Sequence, residues 1–274
     1  MNDKIKQAKA LIAQADAILI TAGAGMGVDS GLPDFRGDEG FWKAYPPMKE
    51  KNLNFSEMAN PIWFATDPNL AWAFYGHRLN LYRKTTPHKG FDILLDLVKE
   101  KDNNYFIYTS NVDGQFQKAG FDKNKIVETH GSIHHLQCSG FHKGIHSAET
   151  LEIEVDMDKF EAITTPLCEK CDDILRPNIL MFSDWDWDSS RTNEQDNRYI
   201  TWLVSNSVIN DNKVVIIELG AGIDIPTIRF ESRRIAKKIN AKVIRINPKD
   251  FEIESDVGIG IELGALNALQ QIIR

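Results

Sequence analysis

The residues with the clearest chemical potential stand in four short clusters. Residues 23 to 37 read GAGMGVDSGLPDFRG, placing Gly23, Gly25, Gly27 and Gly31 directly after the apolar run Ala17 to Thr21. Glycine lets a backbone approach an anion closely and adopt positive φ, as a phosphate-cradling loop requires. As a G-x-G-x-x-G fingerprint the block is incomplete, because Val28 holds the third glycine position. Glycines alone therefore fit a plain tight turn as well as a dinucleotide loop. Asp34, Phe35 and Arg36 add an acid, an aromatic ring and a cation beside it. They suit either a capped turn with a surface ion pair or a lid over one end of a ligand.

Thr109-Ser-Asn-Val-Asp113 closes a second apolar run, and side chains at the C-terminal ends of parallel strands face the ligand crevice. There Asn111 and Asp113 can orient a ribose or a water, or simply form an Asx turn. His130-Gly-Ser132 follows the run Ile126 to Thr129, where an imidazole can serve as a general base near neutral pH. Cys168 and Cys171 have a C-x-x-C spacing that suits a tetrahedral thiolate site. With Cys138 they are the 3 cysteines of the chain, too few for a disulfide framework and suggestive of a reducing compartment.

Positioning these clusters requires strands alternating with helices. Apolar runs recur at Ala17 to Thr21, Tyr105 to Tyr108, Val214 to Leu219 and Val243 to Ile246. Helical spacing is seen in Ile5, Ala8, Leu11, Ile12 and Ala15, in Phe91, Leu94, Leu95 and Val98, in Ile228, Ser232, Ile235 and Ile239, and in Leu263, Leu266, Leu269 and Ile273. The expected fold is α/β, a Rossmann-like parallel sheet with helices on both faces and a small inserted domain, zinc-type and helical. Two stretches break the alternation. Trp72, Tyr75, Leu79 and Tyr82 on one stripe, with Leu70, Phe74 and Leu81 on another, predict a helix buried on two sides. The cysteines and Trp185-Asp-Trp-Asp188, which could form a strand with one aromatic face, lie in the other. The expected division is a large part over about 1–37, 86–135 and 201–274, and a small part over about 38–85 and 136–200.

With 274 residues the chain can bury a large core. A net charge of −7 argues against a nucleic-acid surface. Arg233 to Lys238 reads as the solvated face of a helix. No secretory signal or membrane-length apolar run is visible, so a cytoplasmic location is expected, with no membrane partner. The oligomeric state is not legible.

Taken together, the clusters resemble the sirtuins, the NAD-dependent protein deacylases. The family block G-A-G-x-S-x-x-S-G-I-P-D-F-R-G is matched at 23–37, T-Q-N-I-D at 109–113, and H-G-S at 130–132. Leu175-Arg-Pro177 with Met181-Phe182 resembles the segment lining the acyl-lysine channel, and Ile246-Asn247 a late element contacting the adenosine ribose. The resemblance implies NAD as cofactor and cleavage of its nicotinamide–ribose bond. Around NAD it places Gly23, Ala24, Gly25, Asp34, Phe35, Arg36, Ser110, Asn111, Asp113, Gly220, Ala221, Gly222 and Asn247. Asn111 and His130 would be catalytic. The acyl oxygen of the substrate would attack C1′ of the ribose, and His130 would help activate the hydroxyl that attacks next, in a dry pocket with fixed dipoles. It also implies a structural zinc. Cys138, Cys168 and Cys171 match three ligands; His142 is the expected fourth, with His146 the other candidate.

Some positions depart from the pattern. Ser110 replaces glutamine, Gly27 replaces serine, Gly220-Ala-Gly222 stands for G-T-S, and Phe182-Ser-Asp184 stands for F-G-E. Several of these changes resemble the macrodomain-linked sirtuins, which look like protein ADP-ribosyltransferases, although those lack the P-D-F-R-G block and the H-G-S histidine. The expected activity is thus deacylation of protein lysine, releasing nicotinamide and O-acyl-ADP-ribose. Mono-ADP-ribosyl transfer or NAD hydrolysis in the same pocket is the alternative, and the partner is an acylated or ADP-ribosylated protein.

Overall fold

A computed structural model describes residues 2–33, 38–140, 142 and 144–273. In chain order its strands are β1 (Ala17–Ala22), β2 (Tyr105–Thr109), β3 (Ile126–Glu128), β4 (Gly131–Cys138), β5 (Ile145–Ser147), β6 (Val155–Asp156), β7 (Glu161–Ala162), β8 (Leu175–Ile179), β9 (Val214–Leu219), β10 (Lys242–Ile246) and β11 (Gly258–Ile261). Six of them form one parallel sheet in the order β11-β10-β9-β1-β2-β3. The chain begins in the middle, builds outward to β3, then returns to the other side of β1. That is the doubly wound order, and its switch point lies between β1 and β9.

Both faces of this sheet are covered, which is why β1 and β9 read as nearly continuous apolar runs. Ile18 and Ile20 point to one core, with Leu94 and Val98 of the helix Lys89–Glu100 and Ala268 and Leu269 of the helix Ala265–Ile272. Ala17 and Leu19 point to the other, with Ile235 of the helix Thr227–Ile239 and Tyr199 and Leu203 of the helix Ser190–Val204. The helix Ser190–Val204 runs across the expected boundary at 200, and its Tyr199 and Leu203 pack on the sheet. Glu218 of β9 is the polar exception in its run, and it is paired with Arg245 in register on β10.

A third core lies beside the sheet. The helix Pro68–Lys84 starts on Pro68, with the Asp67 carboxylate accepting from Leu70 N at 3.1 Å. Trp72, Phe74, Tyr75 and Leu79 are all buried, so both expected stripes are covered. They meet Phe41, Tyr45 and Met48 from the preceding short helices, and Ile133, Leu136 and Ile179 from β4 and β8. β4 pairs antiparallel with β5 and β8, and β6 with β7. Trp185 to Asp188 do not form a strand: Trp185 is 93% exposed while Trp187 is half-buried, so the rings share no face. Arg233, Arg234, Lys237 and Lys238 lie on the solvated side of their helix, as their spacing predicts. Among the described residues no helix is long and apolar enough to cross a membrane.

Candidate active site

At the switch point the loops leaving β1 and β9 touch through backbone. Gly23 N donates to Leu219 O at 2.9 Å and Gly25 N to Gly220 O at 3.1 Å. A Cβ on Gly23 would lie 2.7 Å from Gly220 O, and one on Gly25 2.7 Å from Gly220 Cα. Gly220 itself has φ +60°, a conformation that other residues rarely adopt. These glycines are therefore fixed by loop-to-loop contact as well as by any ligand. Asn247 continues the brace. Its Nδ2 donates to Ala221 O at 3.0 Å, and its Oδ1 accepts from Lys249 N and Asp250 N at 2.8 and 2.9 Å.

A second clasp holds the glycine loop from below. His88 caps the helix Lys89–Glu100, with Nδ1 accepting from Gly90 N at 2.9 Å. Its Nε2 must then donate to Met26 O, 3.0 Å away inside the short helix Ala24–Ser30. Burial pushes the pKa of this imidazole down, which keeps the ring in its neutral form.

Between the glycine loop and the small module lies a cavity of about 250 Å³. Ala24, Ser110, Asn111, Asp113 and His130 all line it, although they come from three separate segments. Asn111 N donates to Thr109 Oγ1 and Asn111 Nδ2 to Gly23 O, each at 3.0 Å, so the carboxamide is locked onto the glycine loop. His130 is half-buried with Nε2 3.4 Å from Thr227 Oγ1. Asp113 is buried, and that burial pushes its carboxyl up to about 6, against the Gln115 N–H that its Oδ1 accepts at 2.9 Å. The Asx turn and a cavity-lining acid are thus the same residue. Gly220, Ala221, Gly222 and Asn247 follow β9 and β10 at the other end of the crevice, outside this cavity. Asp34, Phe35 and Arg36 lie outside the described residues.

Two further cavity residues escape a reading by motif. Arg78 is 6% exposed, donates through Nε and Nη2 to Tyr82 Oη at 3.1 and 2.8 Å, and lies over the rings of Phe74 and Tyr75. Tyr75 is 1% exposed, and its hydroxyl has no hydrogen-bond partner among the described residues. The available signal was a lone arginine within an apolar helical stretch, since a buried guanidinium needs a reason. The segment after β8 differs from expectation as well. Asp184 is turned inward onto Arg176, with Nη1–Oδ2 at 2.7 Å and Nη2–Oδ1 at 2.9 Å, both side chains buried. Its carboxylate shapes the Phe182 loop from inside.

The cysteines converge at the end of β4. The ligand atoms of Cys138, His142, Cys168 and Cys171 all lie within 4.8 Å of one another. Cys138 Sγ and Cys171 Sγ are 3.6 Å apart, close to the roughly 3.8 Å edge of a tetrahedron with Zn–S bonds of about 2.3 Å. Three thiols and one imidazole thus fit a closed structural zinc. His146 does not join the group: it lies in β5, paired with Leu136.

Comparison with known proteins agrees with this geometry. The model of the family described as Sir2 matches residues 23–200. An NAD-dependent protein deacylase of Aquifex aeolicus is 28% identical over 261 residues, covering 93% of both chains. An NAD-dependent protein deacylase 1 of Caldanaerobacter subterraneus is 32% identical over 185 residues, 67% of each. Among solved structures, a Sir2 homologue in complex with NAD has a TM-score of 0.73 at 22% identity, covering 98% of this chain and 92% of that one. With its Rossmann-type sheet, NAD crevice and zinc-type cluster, the chain belongs to the Sir2 family.

Proposed function

We propose that the chain is an NAD-dependent protein-lysine deacylase that releases nicotinamide and O-acyl-ADP-ribose. The observation that carries this reading is the meeting of His130 and the locked Asn111 in one cavity beside the glycine loop. NAD supplies the nicotinamide–ribose bond, whose cleavage provides the driving force. Gly23, Ala24, Gly25, Asp34, Phe35, Arg36, Ser110, Asp113, Gly220, Ala221, Gly222 and Asn247 surround it in this reading. Asn111 orients the ribose end, because its carboxamide cannot rotate without losing Gly23 O. His130 accepts a proton from the ribose hydroxyl, a role worth about 10²–10⁴-fold in rate. The largely apolar walls, Leu32, Val112, Ile179 and Met181 among them, exclude water from the reacting carbon.

The far wall favours an acyl chain that ends in a carboxylate. A buried hydroxyl without a partner costs about 1–3 kcal/mol, and among the described residues Tyr75 carries one next to the guanidinium of Arg78. A carboxylate would accept from both. The acylated protein is the partner, and the absence of a disulfide among Cys138, Cys168 and Cys171 suits a reducing compartment such as the cytoplasm.

Incubation with NAD and peptides bearing acetyl-, longer acyl- and succinyl-type lysines tests the reading. O-acyl-ADP-ribose is expected with at least one of them and lost in His130→Ala. Its absence with every acyl chain refutes the assignment. ADP-ribose label appearing on protein and surviving His130→Ala would instead point to ADP-ribosyl transfer.

A further inference from the structure

A second cavity, of about 670 Å³, lies behind the His130 turn, within the size range of small-molecule sites. Its walls come from the end of the helix Pro68–Lys84, the short helix Gln115–Lys118, β4 and the helix Ser190–Val204. Arg83, Lys118, Lys123, Arg191 and Arg198 line it with the imidazoles of His134 and His135, whereas its lining carboxylates are Asp113 and Glu194. In a chain of net charge −7, this is a local excess of the opposite sign.

The fold leaves most of that charge uncompensated. Lys118 Nζ donates to the carbonyls of Arg83 and Thr85 at 2.6 and 2.7 Å. Arg83 donates to the carbonyls of Ala148 and Leu151, and Arg198 Nε to Asn124 O at 3.1 Å. Carbonyls hold these side chains in place without neutralising them. Of the five cations only Arg191 forms a direct ion pair among the described residues, with Glu128. Glu149 and Glu152 also act on Arg83, but neither lines the cavity. At the wall, Arg191 Nη1 and His135 Nδ1 are buried without hydrogen-bond partners among the described residues. Cations fixed around a concave space raise the local concentration of anions.

This cavity shares a wall with the NAD site. Asp113 and Tyr82 line both. His134 Nε2 lies 2.9 Å from Asp113 O, and a Cβ on Gly114 would meet the His134 ring at 2.7 Å. Ile133 N donates to Val112 O at 3.0 Å. The His134 ring is therefore wedged beneath the turn that carries Asn111 and Asp113.

We propose that this cavity binds a small polyanion of the phosphate-ester or polyphosphate kind, and that its occupancy is transmitted to the NAD site through His134 and Asp113. The proposal rests on the NAD crevice, not on deacylation, so its test needs no turnover. Calorimetric titration of the full chain with tripolyphosphate, at constant ionic strength, is run with and without saturating ADP-ribose. One site is expected in both cases, with a different ADP-ribose affinity once tripolyphosphate is bound. Lys123→Glu/Arg198→Glu should weaken tripolyphosphate at least about tenfold, with ADP-ribose affinity unchanged in its absence. Lys123→Gln, at an exposed position whose side chain makes no hydrogen bond among the described residues, should weaken it in the same direction should the double variant fail to fold. The proposal is overturned if ADP-ribose abolishes tripolyphosphate binding, which would put the ion in the dinucleotide crevice. It is equally overturned if the charge variants bind as the parent does, or if ADP-ribose affinity is the same with and without tripolyphosphate.

Discussion

Gly25 and Gly220 meet backbone to backbone, so that a single Cβ on Gly25 would come within 2.7 Å of Gly220 Cα. The contact joins the loops after β1 and β9, and the dinucleotide crevice exists only while both keep this approach. Gly220→Ala must find room against the backbone of Gly25 and Met26 in a left-handed conformation. We expect a loss of about 1–3 kcal/mol in stability and a larger loss of NAD affinity, read from thermal melts and from calorimetry with ADP-ribose. A variant with parental values for both would show that the loops can part freely.

In the proposed deacylase reading, Arg78 and Tyr75 set the acyl preference. Arg78→Met should cut kcat/KM for a succinyl-type lysine peptide by roughly 10–100-fold, since a charge-assisted hydrogen bond contributes about 1.5–3 kcal/mol. Acetyl-lysine turnover should change far less. Equal losses on both peptides would show that Arg78 acts by packing alone.

Asp113 makes stability depend on pH in a definite direction. Its folded carboxyl titrates at about 6 because it is buried, against 3.8 for the unperturbed group. The folded state therefore binds the proton more tightly, and this contribution is fully present below about pH 4 and lost as pH rises through 6. The whole swing is up to about 3 kcal/mol. Asp113→Asn should flatten that part of the stability–pH curve, measured by urea denaturation at several pH values. An unchanged slope between pH 4 and 6 would exclude Asp113 as its source.

The cluster of Cys138, His142, Cys168 and Cys171 should hold about one equivalent of zinc in purified protein. Cys168→Ser should bind substantially less, and a chelator should lower the melting temperature of the parent but not of that variant. Metal analysis below about 0.2 equivalents would remove the site. Full occupancy in His142→Ala would remove the imidazole from the ligand set.

The central strands were legible because a doubly covered parallel sheet leaves no polar alternation. β11 was not, since Gly258-Ile-Gly-Ile261 dilutes the apolar run; a side chain at Gly258 would collide with the backbone of Val243, and one at Gly260 with that of Phe251. Asn111, Asp113 and His130 stood at strand ends, where topology makes position informative. Arg78 sits in mid-helix, where an arginine ordinarily reaches solvent, and only the packing of the short helices over it reveals a cavity wall. The choice between His142 and His146 was likewise a matter of tertiary pairing, because both spacings permit a ligand.

His88 belongs to no motif, yet it shows what the glycine loop demands of the rest of the chain. For the helix it caps, serine, aspartate or asparagine would be the usual choice. The residue present gives one nitrogen to Gly90 as acceptor and the other to Met26 as donor. An aspartate could supply only the first of these, and a serine is too short to span both. The position is therefore shared property: the identity of a helix cap is decided by a loop that precedes it by about sixty residues, and the two elements can change only together.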